Sequence, residues 1–139
     1  MNPRIDFRNV SPGAVKALLG VEAYLASCGL ERSLLHLVKM RASQINGCAY
    51  CLDMHSKDAR AAGETEQRLY ALNAWAETPF FSARERAALA WTEALTRVSE
   101  THAPDGIFQE VRQHFSEAET VNLATLVAMI NAWNRLAIG

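Results

Sequence analysis

Apolar residues recur every three or four positions along most of this chain, and this period restricts the structures it can form. A helix places residues three and four apart on one face, whereas a half-buried strand alternates apolar and polar residues. No stretch alternates long enough to indicate a sheet. We therefore predict an all-α fold of about six to eight helices, and we place no domain boundary within residues 1–139.

The first strong helix pattern is "SPGAVKALLGVEAYLASCG", residues 11–29. Ser11 can cap this helix. Pro12 suits the first turn, because backbone N–H groups there have no hydrogen-bond partner within the helix and the missing N–H of proline costs nothing. An apolar stripe follows at helical spacing, formed by Ala14, Leu18, Val21, Leu25 and Cys28. We expect the stripe to bury Cys28 as an ordinary core residue.

Two helices should meet at the Asn46-Gly47 pair. One is predicted through "ERSLLHLVKMRASQ" and should end at this pair, since glycine readily adopts the left-handed conformation that closes a helix. The other should begin directly afterwards at Cys48 and continue to Gly63. This arrangement predicts that Cys48 lies at a helix N-terminus.

Four further helical segments are predicted beyond Gly63. The segment "TEQRLYALNAWAE" places Leu69, Leu72 and Ala76 on one side, and "IFQEVRQHF" has a shorter amphipathic pattern. Capping boxes, in which a serine and a glutamate three residues later cap each other's backbone, are predicted at Ser82–Glu85 and Ser116–Glu119. The last helix, "ETVNLATLVAMINAWNRLAI", is apolar on more than one face, so it should lie centrally or at a subunit interface.

The charge and cysteine content exclude several classes of protein. Fourteen basic and fifteen acidic residues give a net charge of −1 without a block of either sign, so we expect neither nucleic-acid nor membrane-surface binding. The apolar stretches are too short to cross a bilayer, and a soluble cytoplasmic protein is expected. Three cysteines argue against a secreted disulfide framework.

The segment "INGCAYCLDMHSKDAR" places two cysteines and a histidine on one helical face. Cys48 and Cys51 are three residues apart, which in a helix separates their α-carbons by about 5 Å, within the range that a disulfide bridges. His55 follows Cys51 by four residues and so lies beside both sulfurs. The helix N-terminus stabilises a thiolate, but electrostatics do not decide which cysteine would attack a substrate.

Three interpretations of this motif are open at this point. A redox-active dithiol fits the helix start and the nearby imidazole, and we favour it. A metal site would use the same sulfurs and histidine. Simple packing of small apolar side chains is the third interpretation.

The motif and its surroundings resemble a known family. "RASQINGCAYCLDMHSKDARAAGETEQRLYAL" is similar to the core of the AhpD-like alkylhydroperoxidases, within the carboxymuconolactone decarboxylase superfamily. The similarity extends from "LLHLVKMRASQ" to "INAWNRLAI". It implies an all-α fold that assembles as homo-oligomers, often trimers or hexamers.

The resemblance also implies an activity and roles for residues. AhpD-like proteins reduce organic hydroperoxides or pass electrons between disulfides, and an external dithiol or redox protein reduces them again. By position, Cys51 would attack the peroxide, Cys48 would resolve the product as a disulfide, and His55 would belong to a proton relay. No haem, flavin, nucleotide or metal is expected as cofactor. A general thiol–disulfide oxidoreductase is the alternative, whereas a decarboxylase should not need the dithiol.

One position departs from the family pattern. AhpD-like proteins carry a relay glutamate in a pattern similar to "LLELVKxRxSQ", where this chain reads "LLHLVKMRASQ" and has His36. A neutral histidine can also accept a proton, so we expect His36 to serve in the relay. Together with Cys48, Cys51 and His55, it would also complete a Cys2His2 zinc set, and a histidine between two leucines can simply be a core residue.

Other candidates carry weaker signals. Asp58, three residues after His55, could accept a hydrogen bond from the imidazole or lie in solvent on the helix face. His102 and His114 lack ligand-like spacing and are predicted to lie on the surface. Trp75, Trp91 and Trp133 are predicted as core or interface anchors.

Overall fold

The computed structural model describes residues 2–139, and these are helical without a strand, which confirms the all-α prediction. Six of the segments in this range are helices of ten residues or more, and the remaining four are short. In chain order the segments are α1 (Phe7–Val10), α2 (Pro12–Ser27), α3 (Arg32–Asn46), α4 (Ala49–Ala61), α5 (Glu66–Tyr70), a 3₁₀ segment (Leu72–Glu77), α6 (Ala83–Thr96), α7 (Val98–Thr101), α8 (Asp105–His114) and α9 (Glu117–Ile138).

Helix α9 lies at the centre of the fold. It packs against α2, α3, α4, α6 and α8, which explains why the sequence is apolar on more than one of its faces. Leu123, Leu126 and Ile130 are fully buried there. Within residues 2–139, no helix combines the length and apolarity needed to span a bilayer.

Helix α3 is the second helix with extensive packing, because it contacts α4, α6 and α9. Its buried residues divide between two hydrophobic clusters. Leu34 and Val38 join the larger cluster, shared with α2, α6, α8 and α9, whereas Leu37 and Met40 join a smaller one beneath α4 and the 3₁₀ segment. Burial on two sides fixes α3, and the chain that leaves its C-terminus carries the cysteine motif.

The turn between α3 and α4 has the predicted form. Gly47 has φ 68° and ψ 33°, the left-handed conformation in which a residue with a Cβ is strained. The N–H of Cys48 donates to the Ser43 carbonyl at 3.1 Å, and that of Gly47 donates to Gln44, which satisfies carbonyls at the end of α3. Helix α4 then begins at Ala49 with Cys48 as its N-cap.

Both predicted capping boxes are present. The Ser82 hydroxyl accepts the Glu85 N–H at 3.2 Å, and the Glu85 carboxylate accepts the Ser82 N–H at 2.8 Å. Ser116 and Glu119 repeat the pattern at 3.1 and 2.8 Å. These reciprocal bonds define where α6 and α9 begin.

The single helix predicted over "TEQRLYALNAWAE" is wrong. The chain forms α5 and then the separate 3₁₀ segment, with non-helical dihedral angles at Ala74. Arg86 of α6 donates to the carbonyls of Trp75, Ala76 and Thr78, each at 3.0 Å. This distant guanidinium satisfies carbonyls that a continuing helix would have bonded itself, and Ala76, predicted on the inner side, is exposed.

The predicted stripe of α2 also needs correction at both ends. Ala14 is exposed, and Val15 is buried in its place. Cys28 is the C-cap of the helix and only half-buried, with its thiol donating to the Leu25 carbonyl at 3.2 Å. The middle of the stripe, Leu18, Val21 and Leu25, packs as expected.

Candidate functional site

Cys48 and Cys51 form a disulfide at the start of α4, with α-carbons 5.3 Å apart. Both are almost completely buried, at 1% and 2% exposure. The backbone N–H of Cys51 points at the Cys48 sulfur at 3.3 Å, so Cys48 caps the helix through its side chain. The pair therefore occupies the end of the helix where backbone N–H groups favour negative charge.

His55 lies one turn after Cys51 on the same helix and is 8% exposed. Burial, and to a smaller extent the positive charge of Lys39, lowers the pKa of this imidazole to about 4, although Asp58 and Glu22 oppose the shift. His55 is therefore neutral at physiological pH. A neutral imidazole has one nitrogen free to accept a proton, as a base for a thiol requires.

Cys51 and His55 share one cavity of about 310 Å³. Most of its wall is apolar or aromatic, and a few polar groups enter it, which is typical of a small-molecule site. The lining residues are Phe7, Arg8, Leu19, Glu22, Lys39, Tyr50, Cys51, Met54, His55, Trp133 and Ala137.

Cys48 faces a different cavity of about 390 Å³. The N-terminal residues around Ile5 and Phe7 form one side, and Ala137 and Ile138 at the end of α9 form another. The two cavities share four lining residues, Phe7, Arg8, Tyr50 and Ala137. Each sulfur of the disulfide thus has its own approach, and only the approach to Cys51 contains an imidazole.

An ion pair in the wall of the Cys51 cavity was not predicted from the sequence. Lys39 Nζ of α3 lies 2.7 Å from Glu22 Oε2 of α2, and Trp133 of α9 donates its indole N–H to Glu22 Oε1 at 3.0 Å. One signal could have indicated it. Glu22 lies four residues after Leu18 and three before Leu25, so it is a carboxylate on an apolar stripe.

A buried amide network holds the turn that carries the motif. Asn46 Nδ2 donates to the side-chain oxygens of Asn131 and Asn134 at 2.9 and 2.8 Å. Asn134, fully buried, donates in turn to Ser43 Oγ at 3.1 Å. The end of α3 is thereby tied to α9, which fixes Cys48 relative to the central helix.

His36 lies on α3, half-buried, and its Nε2 is buried with no hydrogen-bond partner in the described part of the chain. Its pKa is lowered by burial and by the charges of Arg32 and Lys39, and Asp58 acts in the opposite sense. His36 also lowers the pKa of His55, but less than burial or Lys39 does. No hydrogen bond between them is present among residues 2–139.

The structure places the remaining candidates outside the cavity. Asp58 is exposed and acts on His55 only through its charge. His102 is exposed, and His114 is half-buried at the end of α8, where its carbonyl accepts from Arg84. In the part of the chain that is described, no group of three or more His, Cys, Asp or Glu side chains is arranged to hold a metal ion.

The three tryptophans have different surroundings. Trp91 is buried in the larger cluster, as predicted for an anchor. Trp75 packs against the smaller cluster and donates to Glu93 at 2.8 Å. Trp133 contributes to the wall of the Cys51 cavity, which the sequence did not indicate.

Comparison with known proteins places the chain in a family. The model of the carboxymuconolactone decarboxylase family matches residues 12–94, which include α2, α3 and the cysteine motif. The uncharacterised protein YdfG of Bacillus subtilis is 41% identical over 138 residues, covering 99% of this chain and 94% of YdfG.

Solved structures agree with this assignment. A protein of unknown function from Agrobacterium tumefaciens, proposed to be the antioxidant defence protein AhpD, superposes with a TM-score of 0.96 at 45% identity, covering 99% of this chain and 94% of that one. The debrominase Bmp8 shares the fold at a TM-score of 0.79 and 23% identity, over 92% of this chain and 69% of its own. The resemblance drawn from the CxxC motif is thus confirmed, and the chain belongs to the carboxymuconolactone decarboxylase family with an AhpD-like fold.

Proposed function

We propose that this protein is a thiol-dependent peroxidase that reduces organic hydroperoxides through a Cys48–Cys51 dithiol–disulfide cycle. One observation carries the proposal: the disulfide lies at a helix N-terminus, and Cys51 shares a largely apolar cavity with the neutral, buried imidazole of His55. The domain that performs the reaction is taken to span residues 1–139.

The proposed reaction begins from the reduced dithiol. His55 accepts the Cys51 proton, and the thiolate attacks the terminal oxygen of the hydroperoxide. A sulfur–oxygen bond forms and the oxygen–oxygen bond breaks, so the sulfur is oxidised to a sulfenic acid and an alcohol leaves. Cys48 then condenses with the sulfenic acid, forming the disulfide and releasing water.

An external dithiol or redox protein must return the disulfide to its reduced form. Exchange proceeds through a mixed disulfide, and its rate depends on the stability of the leaving thiolate. A reducing compartment such as the cytoplasm would supply such a partner, and we place the protein there.

A general thiol–disulfide oxidoreductase is the second candidate, and one contact favours it. The Cys51 N–H at the Cys48 sulfur would stabilise a Cys48 thiolate as the leaving group when another thiol attacks Cys51. The two candidates differ in the oxidant that the reduced protein consumes fastest, a hydroperoxide or a disulfide.

A thiol count tests the proposed function. Fully reduced protein is treated with one equivalent of cumene hydroperoxide, or with a small disulfide in parallel, and remaining thiols and alcohol product are measured over time. The hydroperoxide should consume two thiols per chain and form equimolar alcohol, and peptide mapping should find Cys48 joined to Cys51 with Cys28 free. Unchanged thiols, or a main bridge that includes Cys28, would refute the peroxidase. Reaction with the disulfide alone would favour the second candidate.

We propose that His36 replaces the family glutamate in the proton relay. Its buried Nε2 without a partner in the described part of the chain and its small effect on the pKa of His55 support this role. His36→Ala should then slow oxidation of Cys51 by about a hundredfold, the lower end of the range for general-base groups. His36→Glu should retain activity with a changed pH profile, because a carboxylate takes up its proton in a different pH range.

The contrary outcome is specific. If His36 is only a core residue, both substitutions will change the unfolding midpoint in urea, but the rate per folded molecule and its pH dependence will stay as in the unsubstituted protein.

We also propose that the protein forms homo-oligomers, as trimers or hexamers. Apolar side chains on the outer side of α9 support this: Val121 is 64% exposed, and Leu136 and Ile138 are exposed near its end. Light scattering at micromolar concentration should give a multiple of the 15.4 kDa chain mass. A mass of one chain would overturn the proposal.

A further inference from the structure

Lys39 brings a cationic group into the cavity where Cys51 would react. It extends from α3, and its ammonium forms the 2.7 Å ion pair with Glu22. The two side chains are only 17% and 22% exposed, and both line the cavity together with Cys51 and His55. The charge of Lys39 lowers the pKa of His55, as expected for a neighbour in the same site.

Glu22 holds this ammonium in place without using all of its hydrogen-bonding capacity. One carboxylate oxygen accepts from Lys39, and the other accepts from the Trp133 indole at 3.0 Å. An ammonium has three N–H donors. Glu22 takes one of them, and across residues 2–139 no second protein acceptor for Lys39 is present. The other two donors of this cavity-lining ammonium therefore have no protein partner among these residues.

The proposed reaction creates a need for such donors. Breaking the oxygen–oxygen bond leaves negative charge on the departing oxygen, and an alkoxide is strongly basic. The walls of the cavity that contains Lys39 also include the apolar side chains of Leu19, Met54 and Trp133. A positioned hydrogen-bond donor stabilises developing charge far more in such surroundings than in solvent.

We propose that Lys39 is a catalytic residue whose ammonium donates a hydrogen bond to the leaving oxygen of the hydroperoxide, with Glu22 and Trp133 holding it in position. This inference rests on the proposed peroxidase function. As the oxygen–oxygen bond breaks, the proton that His55 took from Cys51 passes to the leaving oxygen, and Lys39 keeps its own proton. The apolar walls suit the alkyl part of an organic hydroperoxide.

The test uses oxidants with different leaving groups. Reduced protein is mixed in single turnover with tert-butyl hydroperoxide, which expels an alkoxide, or with peracetic acid, which expels a weakly basic carboxylate. Lys39→Met removes the donors at similar side-chain length. It should slow the alkyl hydroperoxide about a hundredfold, as loss of one oxyanion donor does, and the peracid less than about tenfold.

A matched double variant separates this effect from misfolding. Lys39→Met alone leaves the partly buried Glu22 carboxylate without its partner, whereas Glu22→Gln with Lys39→Met retains an amide oxygen for the Trp133 N–H. The double variant should show the same selective loss with the alkyl hydroperoxide. Far-ultraviolet circular dichroism and the reaction rate of Cys51 with a neutral alkylating reagent check the fold and the thiolate.

The outcomes are distinct. If the variants lose the same factor in rate with both oxidants, Lys39 acts through the thiolate or His55, and the inference is overturned. Rates that stay unchanged with both oxidants would also overturn it. If the unsubstituted protein consumes both oxidants while the variants keep its rate ratio, only this inference fails. If the unsubstituted protein consumes neither, the proposed function fails and this inference fails with it.

Discussion

Replacing Cys51 by serine is expected to abolish the reaction with organic hydroperoxides, lowering its rate by at least about a thousandfold, the scale on which loss of a nucleophile acts. A serine hydroxyl is not ionised at neutral pH, and the neutral His55 beside it cannot make it a comparable nucleophile. Stopped-flow measurement of peroxide consumption by the reduced variant would check this.

Two other cysteine variants make this result specific. Cys48→Ser should still consume one peroxide per chain but stop at a sulfenic acid on Cys51, which a dimedone label detects by mass. Cys28→Ser should behave as the unsubstituted protein, because Cys28 lies at the end of α2 and a hydroxyl can replace its bond to Leu25. Retained activity in Cys51→Ser, with loss in Cys48→Ser, would reverse the two roles.

Replacing His55 by glutamine should slow hydroperoxide reduction at pH 7 by about 10² to 10⁴, the usual contribution of a general base. Glutamine is similar in size but cannot take the thiol proton. The difference should shrink as the pH rises above the ordinary thiol pKa of about 8.5, where Cys51 ionises without a base. Equal rates of the two proteins at pH 7 would exclude His55 as the base.

The same histidine should make the stability of the disulfide form depend on pH. Its pKa is about 4 when folded and near 6.5 when unfolded, so between these values the unfolded chain binds more protons. The free energy of unfolding should therefore fall as the pH is lowered from 6.5 to 4, by on the order of 3 kcal/mol. Urea unfolding should show a smaller fall for His55→Gln, and an identical fall would contradict the assignment.

The cysteine motif was predictable because its geometry is local. Cys48, Cys51 and His55 lie within eight residues, and helix spacing alone places them on one face. The turn before them was predictable from Gly47, because glycine readily adopts the left-handed conformation that ends a helix. The serine–glutamate pairs at the starts of α6 and α9 were predictable for the same reason, since each box is closed by residues three apart.

The 3₁₀ segment was not predictable, because the group that stabilises it is not local. Its carbonyls bond to Arg86, which belongs to another helix. The sequence of the segment is compatible with a continuous helix, and only the position of α6 decides otherwise. The first turn of α2 gives a smaller example of the same limit. Ala14 was predicted to be buried, but it is exposed and the next residue, Val15, is buried.

The sequence by itself determined that this protein is all helical and that two cysteines and a histidine meet at a helix N-terminus, because bonds and contacts within one turn encode these features. Tertiary structure alone decided what faces Cys51. Glu22, Lys39 and Trp133 come from α2, α3 and α9, and no local spacing relates them. They meet because the apolar faces of the three helices must be buried together, and that packing leaves their polar groups around one cavity.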